Sequence, residues 1–390
     1  MRTRILLLHN ILWSRYKAIV FSEFNKLMED FSCEFFVLQF ARTDNQRKGL
    51  GEIELVDHNY PYELMLDSNL DEAPWYLKVF KTFKVLTARQ FDVIIIPGYA
   101  YIMCWCALIY AKTTNKIVIV SFDSTADDNP KYWWKESIKR WYISKCSAAM
   151  CYGIKSKEYL MKLGMPSENI FTRCQAIDNQ NIELIHNNAI QNRDSDQFKE
   201  NLRPHNFVYV GRLSKEKNLE ILLSTYSKMK LENEQAADWG LILVGDGPEK
   251  AALQQLASKL RVRDVFFAGG KSWREIPRYH ALSDVLVLPS LSEPWGLVVN
   301  EAMVCGLPVI VSNRCGAAHD LVREGENGFT FDPMDGPDLQ KKLAFFVDHL
   351  QAATLMGEQS RRIITDYSPR MAALQMMRCI KFVTADRMPS

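Results

Sequence analysis

Residues 284–312, DVLVLPSLSEPWGLVVNEAMVCGLPVIVS, constrain the fold more than any other stretch of the chain. Val285–Leu288 is an apolar, β-branched run ended by Pro289, and residues 308–311 form a second, so both read as buried strands of a parallel sheet. Between them the spacing of Val298, Ala302 and Cys305 predicts a helix that begins after Gly296 and stops at Gly306 and Pro308. Glu293 stands in the loop before this helix. Glu301 follows eight positions later, about two turns deeper. A helix N-terminus after a strand offers unpaired backbone N–H groups and a positive dipole end to an anion, and phosphate is the obvious candidate.

The rest of the chain repeats the alternation. In the first half, apolar runs at 5–8, 35–40, 93–97, 117–120 and 148–151 alternate with helical patterns at 22–29, 77–87, 102–111, 133–144 and 156–163. In the second half, strands are expected at 206–210, 240–244, 265–268, 285–288 and 309–311, with helices at 220–230, 249–260 and 339–346 and an amphipathic tail at 371–382. Such alternation argues for doubly wound α/β sheets, and 390 residues are too many for one core. Residues 179–204 are rich in Asn, Gln, Asp and His and read as a linker, partly helical around 182–186. The expected division is a first domain 1–178, the linker 179–204, a second domain 205–365 and a closing segment 366–390.

Composition excludes several classes. A formal net charge of +2 carries no general polyanion signature, so any basic surface is local. Nine cysteines without Cys-x-x-Cys or Cys/His ligand spacing read as thiols of a reducing compartment rather than a disulfide framework or zinc site. The apolar run at 5–8 is broken by His9 and Asn10, too short for a signal peptide, and the apolar stretch 99–111 falls well below the roughly 18 residues of a membrane span. The expected location is cytoplasmic, or on the cytosolic face of a membrane.

Other strand ends carry candidate ligand groups. The stretch YVGRLSKEK brings Gly211, Arg212 and Lys217 to the carboxyl edge where open α/β sheets bind ligands. Two cations there suit an anionic leaving group whose charge is met without a metal, and the expectation is that the chain has no Asp-x-Asp metal motif. The glycines of LVGDGPEK lack the third small residue of a dinucleotide fingerprint and read as a turn beneath the site. VFFAGG ends at Gly269, and VSFDST places Asp123 at a strand end of the first half.

The spacing Glu293-(seven residues)-Glu301, with Pro289-Ser290 before it, Gly296-Leu297 within it and EAMVCGLPVI continuing it, resembles the donor-sugar site of glycosyltransferase family 4, the glycosyl transferases group 1. That resemblance implies the GT-B fold, two facing Rossmann-like domains with a last helix crossing back to the first. It implies a retaining, metal-independent transfer from a UDP- or GDP-linked sugar to a glycan or lipid-linked acceptor in cell-surface polysaccharide or glycolipid synthesis, with no cofactor besides the nucleotide sugar. Arg212, Lys217 and the backbone at Gly296, Leu297 and Val298 would hold the diphosphate, Glu301 the ribose, Glu293 the sugar hydroxyls, and Gly269 the base edge. Asp123 would reach the transferred sugar or the acceptor. The chain departs from the family after its first strand, where ILWSRYKAIVF replaces a glycine pair, so Ser14 and Arg15 are candidates for that phosphate contact. A non-catalytic nucleotide-sugar-binding protein and an epimerase of the same fold are the alternatives.

Two first-half segments are both basic and aromatic: Lys78, Lys81 and Lys84 among Trp75, Phe80 and Phe83, and Lys131, Lys135, Lys139, Arg140 and Lys145 among Trp133, Trp134, Trp141 and Tyr142. They suit either an anionic membrane surface or ordinary half-buried helices with outward lysine stems. Nothing else supports a nucleic-acid partner.

Overall fold

The computed structural model of the protein describes residues 2–45, 53–125, 132–192, 202–262 and 264–385. The chain divides into two compact units, Met1–Ala176 with Pro369–Ser390, and Ile177–Ser368.

The first unit is built on β1 (Thr3–Ile11), β2 (Cys33–Thr43), β3 (Tyr62–Asn69), β4 (Val93–Ile96), β5 (Ile117–Phe122), β6 (Ala148–Cys151) and β7 (Ile170–Thr172). They form one sheet in the order β3-β2-β1-β4-β5-β6-β7, every pairing parallel. The central strands bury all or nearly all of their residues, which is why they read as unbroken apolar runs. β3 does not read that way. Its exposed Asp67 follows buried Met65 and Leu66 without clean alternation, because an edge strand is only half covered. Helices Trp75–Ala88, Ile102–Thr113 and Trp133–Ser144 precede successive strands on the β4-to-β6 side and, with right-handed crossovers, share one face. Helix Pro369–Thr384 belongs to this unit and packs on helix Arg15–Lys26, burying Ala372, Ala373, Met376 and Ile380.

The second unit holds β8 (His205–Val210), β9 (Trp239–Val244), β10 (Val265–Gly269), β11 (Val285–Leu288), β12 (Val309–Ser312) and β13 (Gly328–Phe331), ordered β10-β9-β8-β11-β12-β13 and again all parallel. Two features go beyond the sequence reading. The stretch that reads as a linker contains a full helix, Asn179–Gln191, capped by the Asp178 carboxylate, with Ile182 and His186 buried four positions apart against helix Ile276–Ala281. A single narrow apolar stripe suffices there, and the polar remainder obscures it; residues 193–201 of that stretch lie outside the described residues. The helix Leu350–Ile364 and β13 are the second addition, β13 because a four-residue edge strand opening on glycine carries little pattern.

In both sheets the winding reverses where the first strand meets the fourth, at β1/β4 and at β8/β11. Loops there diverge to opposite faces and leave a crevice, the usual ligand position of such sheets. In the second unit the loop after β8 is stitched to the loop after β9. The Gly211 N–H donates to the Val244 carbonyl at 2.9 Å, the Leu213 N–H to the Asp246 carbonyl at 2.9 Å and the Glu249 N–H to the Leu213 carbonyl at 3.0 Å. This approach requires glycine at 245, where φ is +151° and a Cβ would lie 1.8 Å from the Gly211 carbonyl oxygen. Gly245→Ala is expected to destabilise the second unit by about 2–4 kcal/mol through strain and forced displacement of the 211–213 loop. A lower urea midpoint for that unit's transition is the readout; an unchanged midpoint would show that the loop yields at no cost.

Candidate functional site

At the β8/β11 crevice the two expected loops meet. The loop after β8 runs through Gly211 and Arg212 into a short turn, Lys215–Lys217, and Asn218 then takes a left-handed conformation before helix Leu219–Glu232. The loop after β11 runs through Glu293 to Gly296, whose φ of +92° turns the chain into helix Leu297–Val304. A Cβ at 296 would come within 2.9 Å of the Cys315 sulfur and 3.2 Å of the Glu293 side chain, so this turn is packed as well as left-handed.

Lys217 Nζ donates to the Glu293 carboxylate, joining residues 76 positions apart. Both side chains are mostly buried, at 15% and 17% exposure, so the pair is shielded from solvent and strongly oriented. Arg212 is different. Its side chain is 63% exposed and its guanidinium pairs with Glu216 at 2.9 Å, while Glu216 also accepts from Ser214 Oγ at 2.6 Å, the hydrogen bond that most holds its carboxyl below the usual range. An exposed pair of this kind contributes about 0–1 kcal/mol, so Arg212 can leave Glu216 for a ligand at little cost.

The motifs do not single out the loop 312–317, which clamps the Glu293 segment from the β12 side. The Gly316 N–H donates to the Glu293 carbonyl and the Ala317 N–H to the Trp295 carbonyl, each at 2.9 Å, and Cys315 Sγ donates to the Trp295 carbonyl at 2.7 Å. Trp295 Nε1 in turn donates to Asn300 Oδ1 at 2.8 Å, tying the loop to the helix it precedes. The run SNRCGA after an apolar strand is the one signal the sequence offers for it. Leu297 and Val298 form the first turn of helix Leu297–Val304, and Glu301 lies half-buried one turn further, beside the buried Cys305. Burial and then the Glu301 carboxylate push the Cys305 thiol well up, leaving it inert. Gly269 ends β10, and its carbonyl accepts from the Gly245 N–H at 2.9 Å.

Asp123 belongs to the first unit. It lies at the exposed end of β5 and lines a cavity of about 360 Å³ at the β1/β4 reversal. His9 and Asn10 line the same cavity; His9 Nδ1 hydrogen-bonds Gln39 Oε1 at 2.9 Å, and burial pushes its imidazole down to about 3, so the ring is neutral. Arg15, a candidate phosphate contact, is instead paired with Asp57 at 2.7 Å. Lys17 lines the cavity in its place, with Tyr152 and Arg173, and no motif marks any of these three.

Residues 190–363 match the family described as Glycosyl transferases group 1. Over 172 residues the chain is 33% identical to sulfoquinovosyl transferase SQD2 of Arabidopsis thaliana, covering 43% of this chain and 32% of that protein. Over 167 residues it is 30% identical to the GDP-mannose-dependent alpha-(1-6)-phosphatidylinositol monomannoside mannosyltransferase of Mycolicibacterium smegmatis, covering 41% of this chain and 43% of that one. The chain thus spans less than half the length of either curated relative. The crystal structure of Anabaena HepE in complex with UDP shares the fold over 98% of this chain and 100% of that one, with a TM-score of 0.76 and 19% identity. Residues 190–363 are thus similar to the glycosyl transferases group 1, and the two parallel-sheet units have the GT-B fold.

Proposed function

We propose that the protein is a retaining glycosyltransferase that moves a sugar from a UDP- or GDP-linked donor to a glycan or lipid-linked acceptor, without a resident metal. The observation that carries this is the Lys217–Glu293 pair set at the β8/β11 crevice beside the N-terminus of helix Leu297–Val304. The relatives named as sugar transferases, and the UDP complex of HepE, support a nucleotide-sugar donor.

In this reading the bond from the anomeric carbon to the diphosphate breaks, and negative charge grows on the leaving phosphate. Lys217, Arg212 and the N–H groups at Gly296, Leu297 and Val298 meet that charge, which in a water-poor crevice is the larger part of catalysis. The acceptor oxygen bonds to the anomeric carbon on the same face, and the leaving phosphate takes its proton. Glu293 orients Lys217 while its second oxygen accepts from hydroxyls of the transferred sugar. Glu301 accepts from ribose hydroxyls, Gly269 borders the base, and Asp123 serves the sugar or the acceptor. A sugar-nucleotide sensor with the same residues would bind donor and release nothing.

Arg212→Ala and Lys217→Ala are each expected to lower kcat by about 10²–10³-fold, roughly 3–4 kcal/mol, and to weaken donor binding less, because the charge they meet grows in the transition state. Release of nucleoside diphosphate from a panel of nucleotide sugars measures this, and turnover should survive exhaustive chelation. The chain does carry one Asp-x-Asp triplet, Asp194-Ser195-Asp196, outside the described residues, which makes the chelation arm decisive. Activity abolished by chelator and restored by magnesium or manganese would sink the metal-free mechanism.

The two glutamates are expected to separate by ligand. Glu301→Ala should weaken the bare nucleoside diphosphate, whereas Glu293→Gln, which preserves the shape around Lys217, should leave that binding intact and impair the whole sugar nucleotide. Calorimetry with both ligands decides, and parallel losses in both variants would make the carboxylates structural.

We also propose docking of the first unit on an anionic membrane surface. Trp133 is 82% exposed and Trp75 and Phe80 are each 67% exposed, on helices that share a face. The patch is less basic than its sequence: Lys139 pairs with Glu136 at 2.7 Å and Lys81 donates to the Met65 carbonyl at 2.8 Å, while Lys131 lies outside the described residues. Among the described residues, no helix is long and apolar enough to cross a membrane. Co-sedimentation should require anionic vesicles, fall with salt, and drop in Trp133→Ser and in Lys135→Glu with Lys145→Glu, each cation being worth about 1 kcal/mol. A wild type that stays in the supernatant at low salt would reduce these helices to solvated faces.

A further inference from the structure

The first unit hides a pair of cations. Lys17 is 8% exposed and Arg173 is 3% exposed, and both donate to the hydroxyl of Tyr152. Lys17 adds Gln175 Oε1 at 3.3 Å, and Arg173 Nη1 adds only the Met376 sulfur at 3.4 Å. Among the described residues no carboxylate is in ion-pair contact with either. A lysine and an arginine bring about eight N–H donors, whereas among the described residues their hydrogen-bond acceptors are one phenol oxygen, one amide oxygen and a weak thioether, the Tyr152 ring adding its face 3.7 Å from Lys17 Nζ. Two buried like charges around a neutral hydroxyl are costly unless an anion joins them. Burial and the neighbouring Arg173 accordingly hold Lys17 well below the ordinary lysine range, with Asp123 and Cys174 pulling the other way.

The pair lines the 360 Å³ cavity at the β1/β4 reversal. Helix Arg15–Lys26 starts at the same place, and its N-cap Ser14 makes no side-chain cap hydrogen bond, so the positive end of its dipole adds to the two cations. The Asp44 and Asp71 carboxylates line the cavity too, and carboxylates accept from hydroxyl groups. The lining therefore offers cations for an oxyanion and acceptors for a polyol, in a volume at the lower end of small-molecule pockets.

We infer that the cavity of the first unit binds an anionic sugar or polyol, its carboxylate or phosphate held by Lys17, Arg173 and the Tyr152 hydroxyl. The guanidinium fork takes two oxygens, the ammonium a third contact, and Tyr152 turns its proton to the anion once the cations have left its lone pairs. Identifying this ligand as the acceptor rests on the transferase reading above; the anion site itself does not.

Calorimetry on the full chain with two probes, glucose 6-phosphate and glucuronate, separates phosphate from carboxylate. At least one should bind at millimolar concentration or tighter. Its affinity should survive in the Arg212→Ala, Lys217→Ala double variant and fall roughly tenfold or more in Lys17→Met and in Arg173→Met, while Arg173→Lys, which keeps the charge but loses the fork, falls less than Arg173→Met. Without probe, Lys17→Met should melt higher than the wild type, since an uncompensated buried charge has gone, and this distinguishes lost binding from lost folding. Binding that vanishes in the Arg212, Lys217 variant and ignores Lys17 would assign the anion to the second unit and overturn the inference, as would failure of both probes to bind. Probe binding by a chain that transfers no sugar would overturn the transferase reading alone.

Discussion

Every strand pairing described in this protein is parallel, and that one constraint organises its chemistry. Parallel strands need crossovers over both faces, so all strand ends of one polarity gather at a single edge. The loops after β8 and β11 become neighbours because those strands are hydrogen-bonded, with Val285 opposite Phe207 and Leu286 opposite Val208, although two other strands and their helices intervene in sequence. Close backbone contacts at Gly245 and at Gly316 then fix each of these loops to the one beside it. The sheet gathers the residues, and the glycine contacts hold them.

The two candidate sites treat their cations in opposite ways. In the second, Lys217 has a carboxylate partner and Arg212 has an exposed one, so each cation is compensated and available. In the first, Lys17 and Arg173 converge on a neutral phenol. A compensated pair adds orientation at modest cost, while an uncompensated pair raises the energy of the empty pocket and sharpens its preference for an anion.

Much of this is legible in the sequence where the signal is local. Val285–Leu288 and Trp133–Ser144 read at their observed bounds, because one is an unbroken apolar run and the other an aromatic-basic helix. The Glu293, Gly296 and Glu301 spacing is legible for the same reason: strand, loop and helix lie in one continuous stretch. What stays hidden depends on partners distant in sequence. β3 and β13 are edge strands held by a neighbour, and helix Asn179–Gln191 shows only two buried positions. Lys17, Tyr152 and Arg173 are single residues on separate segments, and nothing in the spacing of one announces the others.

Helix Pro369–Thr384 gives the chain's order of synthesis a structural meaning. It completes the first unit, where Arg173 touches Met376 and the Phe171 ring lies 5.3 Å from that of Phe382, yet it leaves the ribosome only after the whole second unit has been made. The sheet from β1 to β7 therefore waits, with the apolar side of helix Arg15–Lys26 uncovered, while Ile177–Ser368 can fold as a continuous segment. A nascent chain of this design carries an unfinished half while the second unit is made, and the helix that closes it emerges only afterwards.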